Sequence, residues 1–111
     1  MSSSISFKNY HVQWLKVALK AIESIPNQER AKILEKTKFL AINQDQLDIK
    51  KLKGYKSVYR IRSGDYRIVI EVSKEEKTIY VTAIGHRKHV YDLVKKLFLI
   101  FGISSMFGLH S

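Results

Sequence analysis

Three arginines, Arg60, Arg62 and Arg67, lie within one short stretch of this 111-residue chain. Residues 59–70 read YRIRSGDYRIVI, and the central Gly64-Asp65 is a favourable two-residue hairpin loop, because glycine adopts positive φ without steric cost. With that turn, Arg62 lies directly opposite Arg67, and Arg60 shares their side of the hairpin, here called the arginine face. Like charges opposite each other destabilise a strand pair. Three guanidinium groups on one face therefore indicate a surface for an anion such as phosphate.

The positive charge of the chain is concentrated around this hairpin. The net charge is +10, and residues 50–96 hold 13 of the 20 basic side chains but only 5 of the 10 acidic ones. Such a balance favours an anionic partner, either nucleic acid or an acidic protein. A row of exposed arginines is also a common way to protect a sheet from edge pairing. Composition therefore separates neither RNA from DNA nor an enzyme from a binding module.

Composition also narrows the class of protein. The length predicts a single domain over residues 1–111. With no cysteine, the chain has no disulfide framework and no thiolate metal site, which fits a reducing cytoplasm. The first residues lack the basic start and apolar run of a secretory signal. Residues 97–109 are apolar but too short to span a bilayer, so no membrane partner is expected.

The elements that must position the hairpin follow an α+β order. Apolar spacing predicts a strand over 10–15, helices over 16–25 and 27–42, a polar connector over 43–49, strands over 55–62, 66–72 and 78–84, and a helix over 90–101. Pro26 separates the first two helices because it cannot continue the preceding one. We expect these helices to pack on the apolar face of a small antiparallel sheet in β-α-α-β-β-β order, with a C-terminal helix after it.

Two segments carry a resemblance to a known family. KLKGYKSVYRIRSGDYRIVIEV, residues 51–72, and IYVTAIGHRKHVY, residues 79–91, resemble the RelE/ParE superfamily of bacterial type II toxin–antitoxin toxins. Three features place the chain closer to the RelE branch. They are the Lys-Leu-Lys-Gly segment before the strand, the Gly-Asp-Tyr-Arg turn, and the Gly-His-Arg motif followed by Val-Tyr. The resemblance covers roughly residues 10–95, and the two helices that meet at Ile25-Pro26 agree with it.

The resemblance implies a cytoplasmic, bacterial toxin that cleaves messenger RNA on the ribosome. In that reaction the ribose 2′-hydroxyl attacks the adjacent phosphate and leaves a 2′,3′-cyclic phosphate and a 5′-hydroxyl, without a metal or a cofactor. The implied partners are the ribosome, the mRNA and a cognate antitoxin protein. The chemistry requires a group that takes the 2′-OH proton, cations for the growing phosphoryl charge, and a donor for the leaving oxygen.

The resemblance also implies which residues do this work. The catalytic candidates carried over by motif are Arg60, Arg62, Arg67, His86, Arg87 and Tyr91. The arginines are expected to clamp phosphate, because a guanidinium stays protonated and cannot act as a base. The residues expected to contact the RNA backbone are Lys51, Lys53 and Lys56. Tyr91 is either the proton acceptor or a core aromatic beside Val94, and His86 is either a proton donor or a surface histidine.

Two other functions remain open. A ParE-like toxin of the same fold inhibits DNA gyrase and cleaves nothing, although Gly85-His86-Arg87 together with Tyr91 argues for the RelE branch. A catalytically inactive member that binds antitoxin or nucleic acid is the second alternative, because catalysis depends on geometry.

The end of the chain departs from the family pattern. Residues 97–111 form an apolar extension that begins LFLIFGISSMFGL. A helix that is apolar on all sides must be covered, and an exposed apolar patch is typical of an interface. We therefore expect the extension to mediate self-association or to meet the antitoxin. The alternative is that it folds back over the sheet.

Overall fold

The computed structural model describes residues 6–101 of the chain. In this part the element order is β1-α1-α2-β2-β3-β4-β5-α3, an α+β fold that contains every predicted helix and strand, with ends shifted by up to three residues. The bounds are β1 His11–Trp14, α1 Lys16–Glu23, α2 Asn27–Phe39, β2 Ile49–Lys51, β3 Val58–Ser63, β4 Tyr66–Ser73, β5 Thr78–His86 and α3 Val90–Phe101.

The strands form one sheet in the order β1-β5-β4-β3-β2. The predicted antiparallel meander of β3, β4 and β5 is confirmed. At one edge, β1 pairs with β5 in parallel, a feature that the pattern did not predict. Tight turns force consecutive strands to be antiparallel, whereas β1 is separated from β5 by helices and other strands. At the other edge, β2 begins at the end of the predicted polar connector.

The central hairpin has the predicted register. Arg62 pairs with Arg67 and Ser63 with Tyr66. Gly64 has a φ of +61°, and it is the first of the two loop residues, the position at which a two-residue hairpin turn favours glycine. The neighbouring strand β5 runs through Gly85 to its end two residues beyond the prediction.

The two N-terminal helices pack on one face of the sheet, as predicted. The buried side chains of this helix-side core are Phe7, Ala18, Ile22, Ile25, Ile33, Leu40, Ile61, Ile68, Ile70, Val72, Ile79, Val81 and Ile84. Pro26 lies at the start of α2, where its fixed φ and missing N–H are tolerated. Removing these apolar side chains from water supplies most of the free energy that holds the helices on the sheet.

The opposite face is partly covered by α3. Val90, Val94 and Leu97 of this helix are buried in a second cluster with three strand residues, Val58, Val69 and Ala83. The ring of Phe98 contacts that of Tyr55, with 4.4 Å between centroids. The arginine face therefore shares its side of the sheet with α3.

The predicted C-terminal extension begins inside this cluster. Leu97 is buried and Phe98 is half-buried, whereas Leu99 is 85% exposed. Residues 102–111, which make up most of the extension, lie outside the described part of the chain, and self-association stays a prediction. Between residues 6 and 101, no helix has the length and apolar character needed to cross a membrane.

Candidate nucleic-acid interface

A row of charged side chains crosses the sheet near the hairpin turn. Arg62 of β3 pairs with Arg67 of β4, which pairs with Gly85 of β5. On the other side, the N–H of Arg62 donates to the carbonyl oxygen of Asp48 at 3.0 Å, so Asp48 continues the ladder just before β2. Residues paired in this way project to the same face. Across the sheet, the row therefore consists of Asp48, Arg62, Arg67 and Gly85.

Arg60 lies on the same face and is held by Asp48. Its Nη1 donates to the Asp48 carboxylate Oδ1 at 3.0 Å and to the Asp48 carbonyl oxygen at 3.2 Å. The Arg60 side chain is only 18% exposed, whereas that of Asp48 is 55% exposed. The hydrogen bond from Arg60 lowers the pKa of Asp48, and the charges of Arg62 and Arg67 lower it further.

Arg67 relieves the predicted cross-strand repulsion by turning toward the hairpin loop. Its Nη1 donates to the carbonyl oxygens of Gly64 at 2.9 Å and Tyr66 at 3.0 Å. Arg62 is exposed, and its guanidinium makes no hydrogen bond or ion pair with any other residue between 6 and 101. The backbone carbonyl of Arg62 accepts a hydrogen bond from Lys36 Nζ at 3.1 Å, which ties α2 to the hairpin.

Arg87 is anchored to the same turn from the other side. Its N–H donates to the Asp65 carbonyl oxygen at 2.8 Å, and its Nε lies 3.7 Å from Asp65 Oδ1. Both side chains are more than half exposed, so the ion pair is well hydrated and weak. Arg67 and Arg87 thus converge on the loop that joins β3 to β4.

His86 lies on the other side of the sheet. It pairs with Tyr66, and the two rings meet edge to face with centroids 5.8 Å apart. Because Nδ1 accepts the N–H of Lys88 at 3.2 Å, the neutral ring carries its proton on Nε2. His86 and Tyr66 line a cleft of about 420 Å³ that also includes Glu29 and Lys32 of α2. The structure therefore separates His86 from the arginine face by the thickness of the sheet.

Tyr91 lies in the first turn of α3, outside the core. Its side chain is 36% exposed, while Val90 and Val94 on the same helix are buried. An ideal Cβ on Gly85 would lie 3.5 Å from the Cβ of Val90, so this turn of α3 stands beside the end of the charged row. The alternative of a core aromatic is excluded for Tyr91.

The three predicted RNA-binding lysines lie at the opposite end of β3. Lys51 ends β2, and Lys53 and Lys56 are exposed in the loop before β3. Five residue steps along β3 place this lysine loop, residues 51–56, about 17 Å from the hairpin turn. The sequence prediction missed Lys50, which pairs with Arg60 and shares its face. It missed Asp48 too, which lies within the predicted polar connector over residues 43–49.

A buried carboxyl was also missed. Glu71 of β4 lies between Val58 and Tyr80 in the ladder, is 1% exposed, and its Oε1 has no hydrogen-bond partner among the described residues. Burial raises the pKa of Glu71 to about 8, because the charged form loses its hydration. In the described residues, no three His, Cys, Asp or Glu side chains come together as a metal site.

Comparison with known proteins agrees with the predicted resemblance. A model of the family described as "ParE toxin of type II toxin-antitoxin system, parDE" matches residues 12–91. Toxin RelE3 of Methanocaldococcus jannaschii is 40% identical in an alignment of 85 positions that covers 73% of this chain and 94% of that protein.

Two solved complexes extend the comparison. A chain of the RelB-RelE antitoxin-toxin complex from Methanococcus jannaschii is 37% identical, with a TM-score of 0.64 over 72% of this chain and 95% of that one. A chain of the intact E. coli RelBE toxin-antitoxin complex is 26% identical, with a TM-score of 0.57 over 69% and 95%. The protein belongs to the ParE toxin family of type II toxin–antitoxin systems, within which its named relatives are RelE toxins.

Proposed function

We propose that this toxin is a ribosome-dependent endoribonuclease that cleaves mRNA and so inhibits translation. The observation that carries the proposal is the row of Arg62 and Arg67 beside Arg87, with the Arg62 guanidinium exposed to solvent. Preorganised cations of this kind stabilise the charge that grows on a phosphate during transfer. The RelE names of the relatives support the same activity.

In the proposed reaction the 2′-hydroxyl of the RNA loses its proton as its oxygen bonds to phosphorus. The bond from phosphorus to the 5′-oxygen breaks, and that oxygen takes up a proton, which leaves a 2′,3′-cyclic phosphate and a 5′-hydroxyl. Arg62, Arg67 and Arg87 neutralise the non-bridging oxygens, since a guanidinium carries a permanent charge. Arg60 adds to this field from its ion pair with Asp48.

The proton transfers are assigned to the two remaining candidates. Tyr91 is exposed in the first turn of α3, where its neighbour Val90 packs against Gly85, and it is assigned to take the 2′-OH proton. His86 is assigned as the donor to the leaving oxygen, and since it lies on the other face of the sheet, this role requires the RNA to pass the end of β5. The lysine loop contacts the RNA backbone at a distance from the chemistry.

The proposed partners are the ribosome, mRNA and a cognate antitoxin. The relatives of known structure are complexes of RelE with RelB, from an archaeon and from E. coli, which supports an antitoxin partner for this chain. We place the activity in the cytoplasm, where ribosomes and message meet. Because the relatives come from archaea as well as from E. coli, the expectation that this chain is bacterial stays a prediction.

The test is a cell-free translation reaction followed by mapping of 5′ ends on the message. The proposal requires cuts within the codon in the ribosomal A site, none without ribosomes, and strongly reduced cutting with Arg67→Ala. The ParE description of the family favours gyrase inhibition as the second candidate. Loss of DNA supercoiling without RNA cleavage would establish that candidate. If neither RNA cleavage nor loss of supercoiling occurs, the protein is a catalytically inactive binding member.

Self-association through the apolar extension is proposed separately. Because Leu97 is part of the core, the informative truncation ends after Leu99 and keeps that contact. Light scattering should give a larger mass for the full chain than for the truncated chain at equal concentration. Equal monomeric masses would assign the extension to the molecule's own surface.

A further inference from the structure

One acidic side chain, Asp48, lies at the edge of the arginine face, next to strand β2. The Asp48 carboxylate is 3.0 Å from Arg60 Nη1, and it stands in the ladder position opposite Arg62. The charges of Arg62 and Arg67 both act on it. A single anion thus binds Arg60 and lies opposite Arg62, a place on the arginine face that a bound phosphate would also take.

The carboxylate is not required to hold the neighbouring arginines in place. Arg60 Nη1 also donates to the carbonyl oxygen of Asp48, and the N–H of Arg62 donates to that same oxygen. Neither contact uses the Asp48 side chain, because both end on the backbone carbonyl oxygen. The Asp48 side chain is 55% exposed, and ion pairs so close to water contribute little to folding. The main effect of the carboxylate is therefore to compete with other anions for Arg60.

We propose that the Asp48 carboxylate occupies the position on Arg60 that an RNA phosphate would take, and thereby lowers the affinity of the arginine face for RNA. The inference rests on the proposed function, because it takes single-stranded RNA as the anion. An incoming phosphate must displace the carboxylate or leave Arg60 unused. Asp48 thus sets how many arginines a bound RNA strand can engage.

The test compares Asp48→Asn with Asp45→Asn, an exposed acid three residues earlier that forms no ion pair with an arginine in the described part of the chain. Both variants lose one negative charge. The probe is a fluorescein-labelled single strand with 2′-O-methyl riboses, which cannot be cleaved by 2′-OH attack, titrated by anisotropy from 50 to 500 mM KCl, roughly the range over which counterion release is measured. Asp48→Asn should steepen the slope of log K against log salt by about 0.7, the value for one added phosphate contact on a single strand.

The same slope predicts about fivefold tighter binding at 0.1 M salt for Asp48→Asn, while Asp45→Asn keeps the wild-type slope. Adding Arg60→Gln to Asp48→Asn should return the slope to the wild-type value, because the freed contact belongs to Arg60. Thermal unfolding checks that the variants fold, and Asp48→Ser replaces Asp48→Asn if the latter does not.

Two failures are distinguishable. If the wild-type protein binds the strand and Arg62→Gln flattens its slope, yet Asp48→Asn matches Asp45→Asn, the role of Asp48 is overturned and RNA binding stands. If the wild-type protein shows no salt-dependent binding, or Arg62→Gln has no effect, then the proposed RNA surface falls and the inference falls with it.

Discussion

On one face of the sheet, the two ends of the β3–β4 pair differ in how far their charged side chains are exposed to water. At the turn end, Arg62 and Arg67 stay in contact with water or with backbone carbonyls, and Asp48 lies among them. At the far end, Glu71 lies fully buried beside Val58, which packs under α3. One strand pair thus carries hydrated cations at one end and, at the other, a buried carboxyl whose Oε1 has no hydrogen-bond partner within residues 6–101.

The difference shows that burial under α3 determines whether a charged side chain is available to a ligand or affects the stability of the fold. A charge that keeps its hydration costs the fold little and remains able to meet a ligand. A carboxyl removed from water is held neutral instead, and the fold loses stability when the medium would ionise it. We therefore expect substitutions at the turn end to change activity, and a substitution at the far end to change stability.

The largest expected effect is on stability, from Glu71→Gln. The folded pKa is about 8, above the ordinary value of 4.5. The unfolded chain therefore releases this proton at lower pH than the folded chain does. The wild-type free energy of unfolding should fall as pH rises from about 4.5 to 8 and level off above, a loss of about 4 kcal/mol at pH 8. Denaturant unfolding of Glu71→Gln should lack this loss.

The matched control for Glu71 is Glu75→Gln, an exposed acid in the turn after β4. It should retain the wild-type dependence on pH, because its carboxyl is hydrated in both states. If wild type and Glu71→Gln were to lose stability in parallel between pH 5 and 8, Glu71 would be ionised in the fold and the contrast between the two ends would fail.

The next effect is on activity, from Arg67→Ala. Losing one preorganised cation at a reacting phosphate should slow single-turnover cleavage by about 10²- to 10³-fold. Stability should change by less than about 1 kcal/mol, since the lost hydrogen bonds to the turn are offset by relief of repulsion from Arg62. Lys74→Ala, at the other end of β4, is the control. Toxicity retained alongside a large drop in melting temperature would make Arg67 structural.

A slightly smaller effect is expected for Tyr91→Phe. Loss of the hydroxyl should reduce single-turnover cleavage on the ribosome by about 10²-fold, a common size for general acid–base catalysis. Binding to the ribosome should be unchanged, because the ring remains. Tyr10→Phe, on the helix side of the sheet, is the control. A Phe variant that cleaves at the wild-type rate would remove Tyr91 from the proton transfer.

How much of this could be read from the sequence differs between the hairpin and its surroundings. Turn chemistry fixed the pairing of Arg62 with Arg67, because a two-residue loop with Gly64 first allows one register. The face of His86 was not predicted, since β5 was expected to end at Ile84. In a strand of period two, each further residue changes sides, so His86 pairs with Tyr66 and lies on the face away from Arg67.

Long-range pairing hid the remaining features. Asp48 joins the arginine face only because the three-residue strand β2 pairs with β3, and so short a strand has no periodicity to detect. Glu71 has the pattern of an ordinary solvent-facing strand acid. Only the packing of α3 on the neighbouring Val58 and Val69 reveals that this side of β4 is covered.

The smallest effect is expected at the lysine loop, and it separates binding from chemistry at the two ends of β3. Lys53→Gln combined with Lys56→Gln should flatten the salt slope of RNA binding by about 1.4, or 0.7 for each lost phosphate contact. The single-turnover rate at saturating protein should stay the same, because these exposed side chains lie about 17 Å from the turn. Lys16→Gln with Lys20→Gln on α1 gives the same net charge as the control and should leave the slope unchanged. Equal slopes for both pairs would mean that the loop adds only to the overall positive field, whereas a slower rate for the loop pair would extend the reactive surface along the whole of β3.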